Sequence, residues 1–375
     1  MAKDIYAKLA HHLDNLPGGF PSTESGVELR ILRRLFTPEE AKLAVHLTLI
    51  PEESRVIARR SKLSPEEAAG QLEEMAKKGL IFRIERKGGA TLYMASQYVI
   101  GIWEYHVNDL DKDLIRDMNE YIPTLLNLDT WKKAPQLRTV PISRSLNIDR
   151  EIMTYENAEE LVRSQKKFVV APCICRREAA ISGHSCGKPE EVCLVFGMAA
   201  DYYQKNGTGR AIDEQEALEI LKKADEAGLV LQPSNAKKIV NICCCCGCCC
   251  QILKNIKRHP KPASLVSTPF IVSVNPETCK GCGICVERCQ MEALRLEDEK
   301  VACNLDRCIG CGLCVSTCPT GSLTLARKPE QDQPEVPKNV FEAALKLGRA
   351  RGKLSPVSLI KMKVNSKIDR CLAKD

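Results

Sequence analysis

Two cysteine runs in this 375-residue chain have spacings that can hold metal. The first is Cys279-x2-Cys282-x2-Cys285-x3-Cys289; the second is Cys308-x2-Cys311-x2-Cys314-x3-Cys318, followed by Pro319. Both contain the phrase C-x-G-C-G-x-C-V. Three thiolates two residues apart let one tight loop occupy three corners of an iron–sulfur cubane. Gly281, Gly283, Gly310 and Gly312 permit the turns and bring backbone N–H groups close to the sulfides. The fourth cysteine of each run lies too far along for its own loop and reaches the other cluster. Structural zinc favours two ligand pairs with a longer spacer, so two triple runs in tandem fit it poorly.

A second group of eleven cysteines lies upstream. Cys173, Cys175, Cys186 and Cys193 are dispersed, whereas Cys243–Cys246 and Cys248–Cys250 crowd into eight residues around Gly247. Successive residues of an extended segment point to opposite sides, so about half of such a run can face one site. The others face a second site or serve as core thiols. The expected metal ligands are Cys173, Cys175, Cys186, Cys193, Cys243, Cys245, Cys246, Cys248, Cys249 and Cys250. Three readings compete: one or two further iron–sulfur clusters, an unusual catalytic or multi-iron cluster with an open position, and zinc or spare buried thiols. Seven thiols in eight residues are hazardous under oxidants, which favours a metal-bound role and, of the three, the added clusters. Arg176, Arg177, His184 and Lys188 lie near the upstream cysteines, placed to offset cluster charge, bind an anion or stand in a solvated loop. Cys303 and Cys371 fall outside every motif and are expected as bystanders.

The paired runs resemble the bacterial two-cluster ferredoxin. That resemblance implies one [4Fe–4S] cluster on Cys279, Cys282, Cys285 and Cys318, and another on Cys308, Cys311, Cys314 and Cys289. Gln290 departs from the pattern, which has proline after the fourth cysteine; a local difference without loss of a cluster is expected. The chain as a whole resembles cysteine-rich 4Fe–4S binding proteins of anaerobic bacteria and archaea. These pair a winged-helix-like start with a C-x-C-R segment and an ICCCCGCCC-like run before a dicluster ferredoxin. The resemblance implies cluster binding and an anaerobic setting, and no particular substrate.

The elements that must position these residues are legible in outline. Thr37 and Pro38 open one helix; Ser64 caps another whose apolar stripe is Ala68, Leu72, Met75 and Ala76. LIFRIERKGGATLYMA reads as a hairpin turning at Gly88–Gly89. Helices followed by strand–turn–strand resemble a winged-helix domain. Its would-be recognition helix carries Glu66, Glu67, Glu73 and Glu74, which would repel phosphates. RTVPIS (138–143) and KFVVAPC (167–173) read as strands around a helix at 157–164, and a further helix spans 213–226. The fold class expected is multidomain α+β: a winged-helix-like domain (1–97), a helical connector (98–137), a cysteine-rich α/β domain (138–262), a two-cluster ferredoxin domain (263–328), and a linker, short helix and basic tail (329–375).

Composition narrows the function. Twenty of 21 cysteines lie between Cys173 and Cys318, and a chain this long builds a core without disulfide staples. Its start shows no signal-peptide pattern and no run of 18 apolar residues occurs, so a reducing, cytoplasmic setting is expected. The net charge of +7 is localised: residues 338–375 hold ten Lys or Arg and three Asp or Glu, so residues 1–337 sum to zero. That argues against a nucleic-acid binder with a large positive face. The basic end suits an acidic partner, a membrane surface or plain solvation. Phosphate-loop, dinucleotide-binding, zinc-protease and serine-hydrolase motifs are absent. The leading expectation is an electron-transfer protein or redox-complex subunit working between a donor and an acceptor protein. The alternatives are a reductase with a substrate-binding central iron–sulfur site and a redox-sensing winged-helix DNA-binding regulator.

Overall fold

The computed structural model describes residues 4–146 and 153–373. The chain divides into two compact units: residues 1–127, 202–208 and 344–375 form one, and residues 128–201 and 209–343 the other.

The first unit begins with α1 (Ile5–Asp14), α2 (Val27–Leu35) and α3 (Pro38–Ala44). It continues through β1 (Glu52–Glu53), α4 (Ser54–Ser61), α5 (Pro65–Lys77), β2 (Ile81–Ile84) and β3 (Leu92–Ala95), then α6 (Trp103–Tyr105) and α7 (Lys112–Leu125). Thr37 and Ser64 each accept from the backbone three residues on, and Glu40 and Glu67 return the bond, so both helices start with a full capping box. The three strands form an antiparallel sheet in the order β1–β3–β2. Phe20 anchors the core, with its ring edge-on to Tyr98 and Tyr121 at 4.9 Å from each.

The second unit opens with α8 (Leu128–Lys133) and α9 (Ala158–Arg163), then β4 (Phe168–Pro172), α10 (Ile174–Ile181) and β5 (Glu191–Phe196). After α11 (Gly197–Lys205) come β6 (Arg210–Ile212), α12 (Glu214–Glu226), β7 (Val230–Pro233), β8 (Asn241–Cys245) and α13 (Gln251–Arg258). The five strands make an antiparallel sheet in the order β6–β4–β5–β8–β7. Val170, Leu194, Phe196, Leu231 and Ile242 pack with Ala158, Leu161, Ala217 and Leu221, so α9 and α12 cover one face. Residues 138–143, expected as a strand, make only isolated bridges, pairing Arg138 with Ser267 and Val140 with Leu231. Pro141 has no N–H with which to extend a ladder.

The rest of the second unit is β9 (Phe270–Val274), α14 (Ile284–Arg288), β10 (Leu294–Glu297), β11 (Lys300–Cys303) and β12 (Leu323–Arg327). Strand β9 pairs with β12 and β10 with β11, both antiparallel. The β10–β11 turn places Asp298 and Glu299 at φ 47° and 58°, the double positive φ of a tight two-residue hairpin. The chain then returns to the first unit as α15 (Val340–Ala350) and α16 (Pro356–Leu372). The segment expected as a basic tail is therefore largely helical. It docks through Glu52, which is 1% exposed and accepts from Ser366 at 2.6 Å and from Arg60 at 2.8 Å, while Arg60 also pairs with Asp369 at 2.6 Å.

Candidate metal centres

The ferredoxin-like repeat sets its cysteines around two separate cavities. Cys279, Cys282, Cys285 and Cys318 line one, with Leu296, Val301 and Leu323. Cys289, Cys308, Cys311 and Cys314 line the other, with Val272, Leu294 and Leu325. These are the two sets that the crossed fourth cysteine implies. Gly281 and Gly310 hold the first turn of each run at φ 66° and 62°, and a Cβ on either would collide with the carbonyl oxygen of Glu299 or Phe270. The donor set of soft thiolates and the glycine cradles both fit a cubane.

Local hydrogen bonds prepare these thiols. Cys308 is drawn down to about 6 by the Cys303 thiol and, against burial, by the N–H groups of Gly310 and Val272. Burial raises Cys318, but Thr320 and the N–H groups of Leu323 and Ser322 reverse the balance, leaving it below its ordinary value. Burial pushes Cys311 up to about 12 and raises Cys285 and Cys314. Cys303, expected as a bystander, thus sits in the second cavity in contact with Cys308.

The central cysteines separate into two groups and one outlier. On β8, Cys244 points into the core beneath α9 and α12, so Cys243 and Cys245 face the other side of the sheet. There Cys193 lies opposite Cys243 across the β5–β8 ladder. Neighbouring thiols influence one another electrostatically along one chain, Cys173–Cys175–Cys250–Cys245–Cys243–Cys193. Within it Cys173, Cys250 and Cys243 are drawn down by their thiol neighbours and Cys175, Cys245 and Cys193 are pushed up. Cys173 and Cys250 are N-cap residues of α10 and α13, where the helix field favours a thiolate.

The second group gathers Cys186, Cys246, Cys248 and Cys249, whose Sγ atoms all lie within 4.8 Å of one another. Three come from the turn that ends β8, and Cys186 comes from the loop between α10 and β5. Burial raises the Cys246 thiol, yet the Cys249 N–H, the Cys248 thiol and Arg176 together hold it below its ordinary value. Arg176 is 5% exposed; it lies 3.8 Å from the Cys246 Sγ and donates to the Cys244 carbonyl at 3.0 Å. Of the four basic residues near the upstream cysteines, Arg177 instead pairs with Glu190 at 2.7 Å, and Lys188 donates to the Ala227 carbonyl at 2.5 Å.

The two regions meet at Gln290, the departure from the ferredoxin pattern. Its Oε1 accepts the Gly247 N–H at 2.8 Å, and a Cβ on Gly247 would collide with the Gln290 carbonyl. Proline could not supply that side-chain acceptor. Nearby, the buried Asp225 carboxylate lies 3.4 Å from Arg288, pairs also with Arg144, and accepts from Ser316 at 3.1 Å. Arg288 further donates to the carbonyls of Leu313 and Glu226 at 2.9 and 3.0 Å. These joints were invisible in the sequence, save for the missing proline.

Among the described residues, no helix is long and apolar enough to cross a membrane. A search of curated proteins returns no match to this chain. A family model described as a 4Fe-4S dicluster domain matches residues 270–335. The second unit therefore contains a ferredoxin-type domain for two [4Fe–4S] clusters, and the chain has an iron–sulfur electron-transfer role.

Proposed function

We propose that this chain is an electron relay between two redox partner proteins. An external low-potential donor delivers electrons to the dicluster domain, and an acceptor takes them from the central cysteine region. The bound clusters supply one-electron carriers. Cys279, Cys282, Cys285 and Cys318 hold one and Cys308, Cys311, Cys314 and Cys289 the other, while Val272, Leu294, Val301 and Leu323 keep water away. The observation that supports the relay is the Gln290–Gly247 hydrogen bond, which ties the residue after Cys289 to the turn between Cys246 and Cys248. Cys173, Cys175, Cys193, Cys243, Cys245 and Cys250 then form the ligand pool for a further iron–sulfur centre.

The N-terminal helices and the β1–β3–β2 sheet support a winged-helix reading of residues 1–97. Glu66 and Glu67 occupy the first turn of α5, and Glu73 is tied to Arg83 at 2.8 Å. That chemistry suits docking to a protein better than to a phosphate backbone. The relay is tested by iron and acid-labile sulfide per anaerobically purified chain, with EPR after reduction. About twelve irons or more are expected, at four per cubane; eight would confine the clusters to the dicluster domain and sink the central relay. Turnover of a small substrate by the isolated chain with an artificial reductant would replace the relay with a reductase.

A further inference from the structure

We infer that Cys186, Cys246, Cys248 and Cys249 form a mononuclear site for one tetrahedrally coordinated metal ion, separate from any central cluster. The inference rests on the reading of the central thiols as metal ligands and divides them. Four thiolates on one ion at a metal–sulfur distance of about 2.3 Å lie about 3.8 Å apart. The Cys248 and Cys249 Sγ atoms are 3.8 Å apart, and all four lie within 4.8 Å. Thiolates of a cubane sit on separate irons and must spread wider. The structure carries its own comparison: among the described residues this is the one set of Cys, His, Asp or Glu ligand atoms gathered so closely. Neither dicluster set is that compact, nor is the chain of six thiols from Cys173 to Cys193.

The backbone explains the gathering. Cys246 leaves β8 fully buried, and Gly247, pinned by Gln290, turns the chain so that Cys248 and Cys249 fold back beside it. Cys186 joins Cys246, Cys248 and Cys249 from a second loop and closes the set. Four thiolates on a divalent ion leave a net −2, which the neighbouring Arg176 guanidinium halves. An all-sulfur tetrahedron selects zinc or iron. Zinc would lock the turn, whereas iron would add a one-electron station beside Gln290.

The test compares the full anaerobically purified chain with a Cys186→Ala/Cys248→Ala variant, both changes lying at positions that are not fully buried. Iron, zinc and acid-labile sulfide are counted, and the EPR spectrum of the reduced dicluster serves as the folding control. The expected result is loss of one metal atom per chain with no loss of sulfide. Which element falls identifies the ion. Loss of several irons with matching sulfide would show a cluster on these thiols and overturn the inference; an unchanged metal content would overturn it as well. Should the variant fail the folding control, wild-type protein decides: iron plus zinc exceeding sulfide by one supports the site, and equality defeats it. A wild-type sulfide count of about eight, matching the dicluster alone, with one further metal atom lost on substitution, upholds this site while removing the central cluster from the relay.

Discussion

Gln290 shows how much a single departure from a repeat can carry. The second run keeps its proline at Pro319, and the first replaces it with a side chain that accepts the Gly247 amide. Gly247→Ala forces a Cβ against the Gln290 carbonyl, so the turn holding Cys246, Cys248 and Cys249 must shift. Metal analysis should show this variant losing central metal while the reduced dicluster keeps its EPR signal. Cys303→Ala is the converse case. Cys303 contacts Cys308 but lies outside both ligand sets, so both clusters should persist at full iron content, with only a potential shift by voltammetry. The missing proline was legible in the sequence; its partner, 43 residues away, was not, because only the folded chain brings them together. The alternation of β8 was legible too and sends Cys244 into the core. Parity stops being a guide at Gly247, where the strand becomes a turn, and so spacing alone left the four-and-six division of the central thiols open.

At the level of elements, the first unit encloses histidines that must stay neutral. Burial lowers His12, on α1, to about 4, with His46 and His11 adding to the effect against a backbone hydrogen bond at Leu47. Burial likewise lowers His46 and His106. A folded value below the unfolded 6.5 means that the unfolded chain takes up the proton first. The stabilisation is therefore complete above about pH 6.5 and is lost as pH falls towards 4. Thermal unfolding of the full chain should show the first unit weakening between pH 7 and pH 5, with a shallower slope in His12→Leu. Local signals predicted most of these elements. The capping residues Thr37, Ser64, Asn157 and Asp213 all stand where helices begin. The helical state of residues 356–372 escaped notice because their lysines suggested a solvated tail. In the fold, Ser355 caps the helix, and Ser366 and Asp369 find partners on α4 and β1.

Over the whole molecule, the candidate metal ligands all lie in one unit, joined internally by buried charge. Asp225 on α12 holds Arg288, the neighbour of the expected ligand Cys289. Asp225→Ala leaves Arg288 and Arg144 without their carboxylate. The loss should be about 3–5 kcal/mol of second-unit stability, as expected when a buried pair is broken and read from denaturant unfolding under anaerobic conditions. The other unit is discontinuous along the chain, with its last piece beginning at residue 344. In N-to-C synthesis, every thiol of both centres therefore emerges before α16 can cover Glu52. Closure of the first unit by residues 344–375 therefore waits until those thiols have been synthesised. A chain stopped at residue 343 should retain both dicluster EPR signals yet expose the first unit to limited proteolysis. The order of the polypeptide thus makes the thiols available for loading while the N-terminal module is still open.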